Sequence, residues 1–494
     1  MNRRGFVGLS LAAAASTVVP FSRLLAQTQP VGDIQAVGLA GAKTFVSSSD
    51  LQQLKNNLRG ALLLPGSPGY DEARRVRNES IDKHPALIVQ PSGVADVRTA
   101  VNFAREHGLL LAVKCGGHGY AGKATCEGGM QIDLSHFRHV RVDQATRTAY
   151  VAGGSLLGEI DHETMSTGLV TTSGTVSHTG VGGLTLGAGF GRLARRFGLA
   201  LDNVKAVDIV TADGRFLHAS ADENSDLYWA VRGGGGNFGI VTAFEFQLHP
   251  MGRQVLGGPL VFPIARANDL LAAYAEISDA ANAEMYIDAV MQAPRGGKPG
   301  IFVIDTCYSG SPERAEQAFA PLRKLGKPLQ DGIAPIDYVA LQRSGDHTDP
   351  RNEGSYLKSG FIDAFPDKLV RTMLDGFEPN PERGTTVFFQ HSGAAIGRVA
   401  PDATAFPHRR AKHNMFATVS WALGSEQAPH VKYIKSYWDS LEPFTDGYYT
   451  NEVADEAQGI VDNNYQGNLP RLRKLKKQYD PANLFRLNAN VKPA

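Results

Sequence analysis

Three glycine clusters fall within about 125 residues: Gly116-Gly117-His118, the run from Gly180 through Gly182, Gly183, Gly187 and Gly189 to Gly191, and Gly233-Gly234-Gly235-Gly236-Asn237-Phe238-Gly239. Glycine tolerates φ > 0 and close backbone approach, so successive peptide N–H groups can converge on a phosphate oxygen. Uncharged loops of this kind suit a diphosphate. The plainer alternative, tight turns packed on a sheet, explains one such cluster better than three. Gly234-x-Gly236-x-x-Gly239 has the spacing of a nicotinamide-dinucleotide loop, but that loop leaves a strand and opens a helix. Here it follows a helix-like stretch, Asp226–Val231, and enters a strand-like one, Ile240–Leu248, so that site is excluded. Neither a P-loop nor a G-x-S-x-G elbow occurs. The histidines lack metal-site spacing, and no metal is expected.

Alternating strand and helix patterns must position these loops. Ala86–Gln90 reads as a buried strand, a helix follows with Val94, Val97, Val101 and Ala104 on one face, and Leu109–Val113 is the next strand, running straight into Cys115 and the first glycines. This is a βαβ pattern. Lys205–Ser220 predicts a hairpin turning at Asp213-Gly214, and Phe244, Phe246 and Leu248 alternate along a last strand. After Pro250 the glycine clusters cease, and strand-like runs such as Met285–Met291 and Gly300–Cys307 alternate with helix-like Pro312–Leu325. The expected division is an N-terminal segment 27–82, a mixed α and β unit 83–250, a second domain 251–440, and a terminal segment 441–494 containing the basic helix Leu469–Tyr479.

With 43% hydrophobic and 20% charged residues and a formal charge of +1, the 494-residue chain is globular rather than disordered and carries no polybasic nucleic-acid surface. Arg3-Arg4 ahead of the apolar run Phe6–Phe21 resembles a twin-arginine export signal over residues 1–26, with an ordinary secretory signal or membrane anchor as the alternative. The run is short for a membrane span. A periplasmic or secreted protein, exported already folded and with no stable membrane span after signal removal, is the expectation. Removing the signal leaves a formal charge of −2. Three cysteines, Cys115, Cys126 and Cys307, form no CxxC pair; a Cys115–Cys126 bridge stays open, but the fold must be held by its cores.

Further strings join the glycine clusters: Thr179-Gly180-Val181-Gly182-Gly183-Leu184, Gly198-Leu199-x-x-Asp202-Asn203, Phe406-Pro407-His408-Arg409, Tyr449-Thr450-Asn451, and Tyr479-Asp480-Pro481-x-Asn483-Leu484-Phe485. Together they resemble the FAD-linked oxidases of the vanillyl-alcohol oxidase type, in the branch named after berberine bridge enzyme. The resemblance implies an α+β fold: a PCMH-type FAD-binding domain of two subdomains, and an α/β substrate domain whose sheet covers the flavin. It implies one covalent link, from His118 to the flavin 8α-methyl carbon, because Gly174–His178 lacks the cysteine that makes a second link in many relatives. The implied cofactor-binding set is His118 with Gly116, Gly117, Gly119 and Tyr120; Thr179, Gly180, Gly182, Gly183, Gly187 and Gly189; Ile240 and Val241; and Tyr449, Asn451, Asn488 and Asn490.

The resemblance also implies the reaction, hydride transfer from an alcohol, sugar or cyclic amine to FAD, with O2 reoxidising the cofactor and forming H2O2. A dehydrogenase serving another acceptor, and a flavin-containing binding protein without turnover, are the alternatives. Tyr449 occupies the family's proton-acceptor position, with His408 next in line. Phe190 stands where some relatives have a second tyrosine, and no glutamate lies between His391 and Arg409, where the alkaloid-cyclising members carry theirs. Lys123, just after Gly122, is expected to promote oxygen reduction by its charge; the alternatives are that its length blocks the oxygen path, or that it reaches solvent and does neither.

Overall fold

Apolar patterning sorts the chain into three principal sheets, two within residues 61–247 and one within residues 254–422. The computed structural model describes residues 32–347, 352–453 and 456–494; the export signal expected at residues 1–26 lies outside them. Among the described residues no helix is long and apolar enough to cross a membrane.

The first sheet runs in the order Ala61–Leu63, Leu87–Gln90, Met130–Asp133, Leu111–Lys114. Helix Val94–Glu106 buries Val97, Ala100, Val101 and Ala104 against Leu87, Val89, Met130 and Ile132. The βαβ pattern is therefore present, but its two strands are not neighbours: Met130–Asp133 lies between them and pairs parallel with both. Gln131 and Asp133, both fully buried, hid that strand in the sequence, because polar residues break the apolar run by which buried strands are read. Gln131 gives its amide to the Ala73 carbonyl, and Asp133 lies 3.7 Å from the Lys114 ammonium.

The second sheet is antiparallel, in the order Phe216–Ser220, Val204–Val210, Ile240–Gln247, Thr148–Ala152, Val140–Asp143. Its hairpin turns at Gly214, whose φ of +78° explains the glycine. Phe244 and Phe246 face a core shared with Leu472 and Leu475 of helix Leu469–Tyr479, so the end of the chain is built into the cofactor unit. Lys476 of that helix is fully buried, 2.7 Å from Asp480, and donates to the carbonyls of Asn237 and Phe485. The Asp480 carboxylate accepts the N–H groups of Leu484 and Phe485. This network is the physical content of the Tyr-Asp-Pro-x-Asn-Leu-Phe string.

The third sheet has eight strands, antiparallel throughout, with Gln254–Pro263, Ile301–Tyr308, Met285–Ala293, Gly384–His391, His413–Ala422 and Glu353–Ile362 consecutive. One face, including Ile287, Met291, Ile304, Phe389 and Met415, is sealed by helices Ala267–Ala280, Asp367–Gly376 and Ala428–Leu441. The other face looks toward the glycine loops. Cys115, Cys126 and Cys307 are free thiols, so no disulfide ties the described residues together.

Candidate active site

The two faces enclose a cavity of about 1070 Å³ that runs from the glycine loops to the substrate sheet. That is room for a dinucleotide and a small substrate together. Strand Leu111–Lys114 aims Cys115-Gly116-Gly117-His118 at it, and Gly117 turns with φ +64°. Gly116 meets Gly180 backbone to backbone: a Cβ on Gly116 would stand 2.4 Å from the Gly180 nitrogen, and one on Gly180 would stand 2.3 Å from the Gly116 nitrogen. These two glycines bring the loops together. Others leave floor space: no atom lies within 4 Å of a Cβ placed on Gly119, Gly183 or Gly235, and all three line the cavity.

This cradle fits FAD. Gly116, Gly117, His118, Gly119, Tyr120, Thr179, Gly180, Gly182, Gly183, Ile240, Val241, Tyr449, Asn451 and Asn488 all line the cavity. The side-chain oxygen of Asn488 is buried without a hydrogen-bond partner while its amide nitrogen donates to the Phe485 carbonyl, leaving an acceptor that a ligand N–H or O–H satisfies. Gly187, Gly189 and Asn490, expected among the cofactor contacts, do not line it. Gly187 lies under Asn451, whose amide would be 2.3 Å from a Cβ there, and Gly189 uses its N–H on Tyr449 and a φ of +85° to turn the chain. Asn490 contributes its carbonyl to Gln458. His408 is also outside: it stacks on Phe361 at 4.5 Å and bonds to Asn464, and burial lowers its basicity. Lys123 lines the cavity and donates to the Asn488 carbonyl at 2.9 Å.

At the substrate end the Tyr449 hydroxyl oxygen accepts the Gly189 N–H at 3.0 Å and the Asn451 amide at 2.9 Å, and the Phe190 N–H also favours its ionised form. Burial, and then the charge of Glu452, hold the phenol well above its ordinary range. Phe190 packs edge-on against Tyr449 with ring centroids 5.1 Å apart.

Sheet register sets side chains abreast. Val303, Val290, Phe388 and Phe416 form an apolar row, with the two phenylalanines stacked 4.7 Å apart. One pleat further along lies a polar row, Asp305 opposite Asp288 and Gln390 opposite Asn414. Asp305 is held by buried Arg192 at 2.9 Å. Asp288 accepts from the His391 N–H and the Tyr286 hydroxyl, and burial raises its carboxyl well above the usual range. Asn414 donates to Gln390 at 3.1 Å and to Glu452 at 2.7 Å. The sequence reading did not single out Arg192, Asp288, Asp305, Gln390 or Glu452. The signal available was the alternation Asp288-x-Val290-x-Gln292 and Thr386-x-Phe388-x-Gln390, polar on the face opposite the helix-packed residues.

Comparison with known proteins agrees with this geometry. Residues 85–220 match the family model "FAD binding domain" and residues 448–492 match "Berberine and berberine like". An FAD-linked oxidoreductase of Dictyostelium discoideum is 34% identical, over 88% of this chain and 95% of the relative. The (R)-6-hydroxynicotine oxidase of Paenarthrobacter nicotinovorans is 30% identical, over 88% of this chain and 97% of its own length. The crystal structure of 6-hydroxy-D-nicotine oxidase from Arthrobacter nicotinovorans superposes with a TM-score of 0.80 at 27% identity, covering 88% of this chain and 98% of that one.

Proposed function

This chain belongs to the FAD-linked oxidoreductases of the berberine-bridge-enzyme-like branch, and we propose that it is an oxidase of a small alcohol, sugar or cyclic amine, holding FAD by a single covalent bond from His118. FAD, when bound, supplies the hydride acceptor. The observation that carries the reading is the continuous cavity from the His118 loop to a sheet face bearing both polar and apolar rows. His118 and the four open or touching glycines Gly116, Gly119, Gly180 and Gly183 hold the cofactor; the sheet face and Phe190 orient the substrate and exclude water. Tyr449 takes the proton of the substrate O–H or N–H as the C–H bond breaks, its oxygen steadied by N–H donors from Gly189, Phe190 and Asn451. Its buried phenol can do so only as its own hydrogen leaves.

The oxidising acceptor is O2, with Lys123 supplying positive charge beside Asn488. Export by the twin-arginine route places the folded enzyme in the periplasm or outside the cell; Arg3→Lys with Arg4→Lys is expected to leave it in the cytoplasm, and undiminished export of that variant sinks the route. The test of the main reading is anaerobic mixing with secondary alcohols, oligosaccharides and cyclic amines, in which a substrate bleaches the flavin absorbance. Acid-precipitated protein stays yellow, and His118→Ala releases its flavin into the supernatant. Flavin that washes freely from the wild type refutes the covalent bond.

A further inference from the structure

Tyr449 and Glu452 open and close one turn, joined by the Glu452 N–H to the Tyr449 carbonyl at 2.9 Å, and both line the cavity. Their hydrogen-bonding capacities are complementary. The Tyr449 oxygen already accepts from Gly189 and Asn451, so what it has left to give is its hydrogen. Glu452 accepts the Asn414 amide on Oε2, and among the described residues none donates to Oε1. A phenol with a hydrogen to give and a carboxylate oxygen able to take it thus line the same cavity, close enough for the Glu452 charge to act on the Tyr449 phenol.

We propose that Glu452 is the terminal proton acceptor of the reaction, reached through Tyr449, and that Asn414 is the residue that positions it. This deepens the reading of Tyr449 given above and rests on it. The step balances: the hydrogen Tyr449 held moves to Glu452 Oε1, the substrate O–H or N–H bond breaks as a bond forms to the Tyr449 oxygen at the position so vacated, and the C–H electron pair leaves as hydride, for which FAD, when bound, would be the acceptor. One negative charge is held throughout by the pair. It rests on the carboxylate before turnover, because even a buried carboxyl loses its proton more readily than a buried phenol.

Burial pushes the Glu452 carboxyl up to about 7, and the Asn414 hydrogen bond pulls it back. That range suits a group that must be ionised to accept and neutral to hold a proton at physiological pH. The groups around it leave this assignment intact. The strands Gly384–His391 and His413–Ala422 present only the amides of Gln390 and Asn414. Asp288 of strand Met285–Ala293 is itself engaged by His391 and Tyr286. Glu456 downstream is paired with Lys358 of strand Glu353–Ile362. Among the described residues, Tyr449 is the titratable group on which the Glu452 charge acts, and Glu452 raises it.

The test uses FAD-loaded enzyme without substrate first. Infrared difference titration should show, besides the band of buried Asp161, which also lies near pH 7, a carboxylic C=O band disappearing near pH 7 that is absent in Glu452→Gln and shifted to higher pH in Asn414→Ala. Ultraviolet titration should show the tyrosinate signal that Tyr449→Phe removes appearing at lower pH in Glu452→Gln, because the like charge is gone. With a reducing substrate, the rate of anaerobic flavin reduction should fall as pH drops below about 7. In Glu452→Gln that limb should vanish and the rate at high pH should fall roughly 10²-fold; Glu452→Asp should restore the limb. A limb that persists in Glu452→Gln overturns the proposal. If that variant loses FAD, Asn414→Ala decides, and an unmoved band and limb overturn it. If no substrate reduces the wild type, the proposed function fails, while the two spectroscopic titrations still decide Glu452.

Discussion

The two walls of the cavity are built on opposite plans. The cofactor wall works through backbone: Gly116 and Gly180 touch across two loops, and Gly119, Gly183 and Gly235 leave surface bare. The substrate wall works through side chains set abreast by register, an apolar row beside a polar one. A wall that needs the absence of side chains tolerates almost no substitution, whereas a wall that presents them can be rewritten one residue at a time. The lesson is where change in such an enzyme can accumulate: on the sheet, not in the loops.

Gly180→Ala should break the first wall outright. Its Cβ would stand 2.3 Å from the Gly116 nitrogen, a backbone atom with nowhere to go, so a destabilisation of about 3 kcal/mol and loss of FAD are expected. Gly183→Ala, three residues further along, meets nothing within 4 Å and lies in helix Val181–Gly187. There the protein without cofactor should melt slightly higher, by about 0.5–1 kcal/mol of helix propensity, while FAD occupancy falls. Melting curves and flavin absorbance of the two variants settle it; similar behaviour of the pair contradicts the division between touching and open glycines.

On the other wall, Tyr449→Phe should slow flavin reduction roughly 10²-fold with FAD content unchanged, and reduction at the wild-type rate moves the first proton acceptor elsewhere. Lys123→Val should slow reoxidation in air about tenfold, a loss of about 1.4 kcal/mol of charge stabilisation. Faster reoxidation in that variant, seen by stopped flow, marks Lys123 as a plug and the enzyme as a dehydrogenase. The smallest effect belongs to Phe388→Leu. Losing the stacked pair with Phe416 should cost about 1 kcal/mol, read as a several-fold rise in KM at unchanged kcat and FAD content.

The same contrast decides what could be read from sequence. Glycines that must be glycine announce themselves, so the cradle of Gly116, Gly119, Gly180 and Gly183 was legible, and with it the family. Helix Leu469–Tyr479 and the hairpin at Gly214 followed from periodicity and turn chemistry. Strand Met130–Asp133 escaped because buried Gln131 and Asp133 mimic a loop. The polar row escaped for a different reason: Asp288, Gln390 and Asn414 lie on strands far apart in the chain, and only the pairing of those strands makes them one surface. Asn490 does not border the cavity as Asn488 does, although its side-chain oxygen is likewise buried without a partner. His408 shared a motif with family members, yet its ring packs behind Phe361.

The dependence of the cofactor unit on residues 476–491 has a consequence for biosynthesis. Asn488 borders the cavity, the Val491 N–H is held by Asn237, and Lys476 ties helix Leu469–Tyr479 to both Asn237 and Phe485. A nascent chain that has emerged only as far as the substrate sheet lacks these residues, so its cradle stays open however long it waits. Cofactor capture is thereby deferred until the segment 469–491 has been made and has folded back.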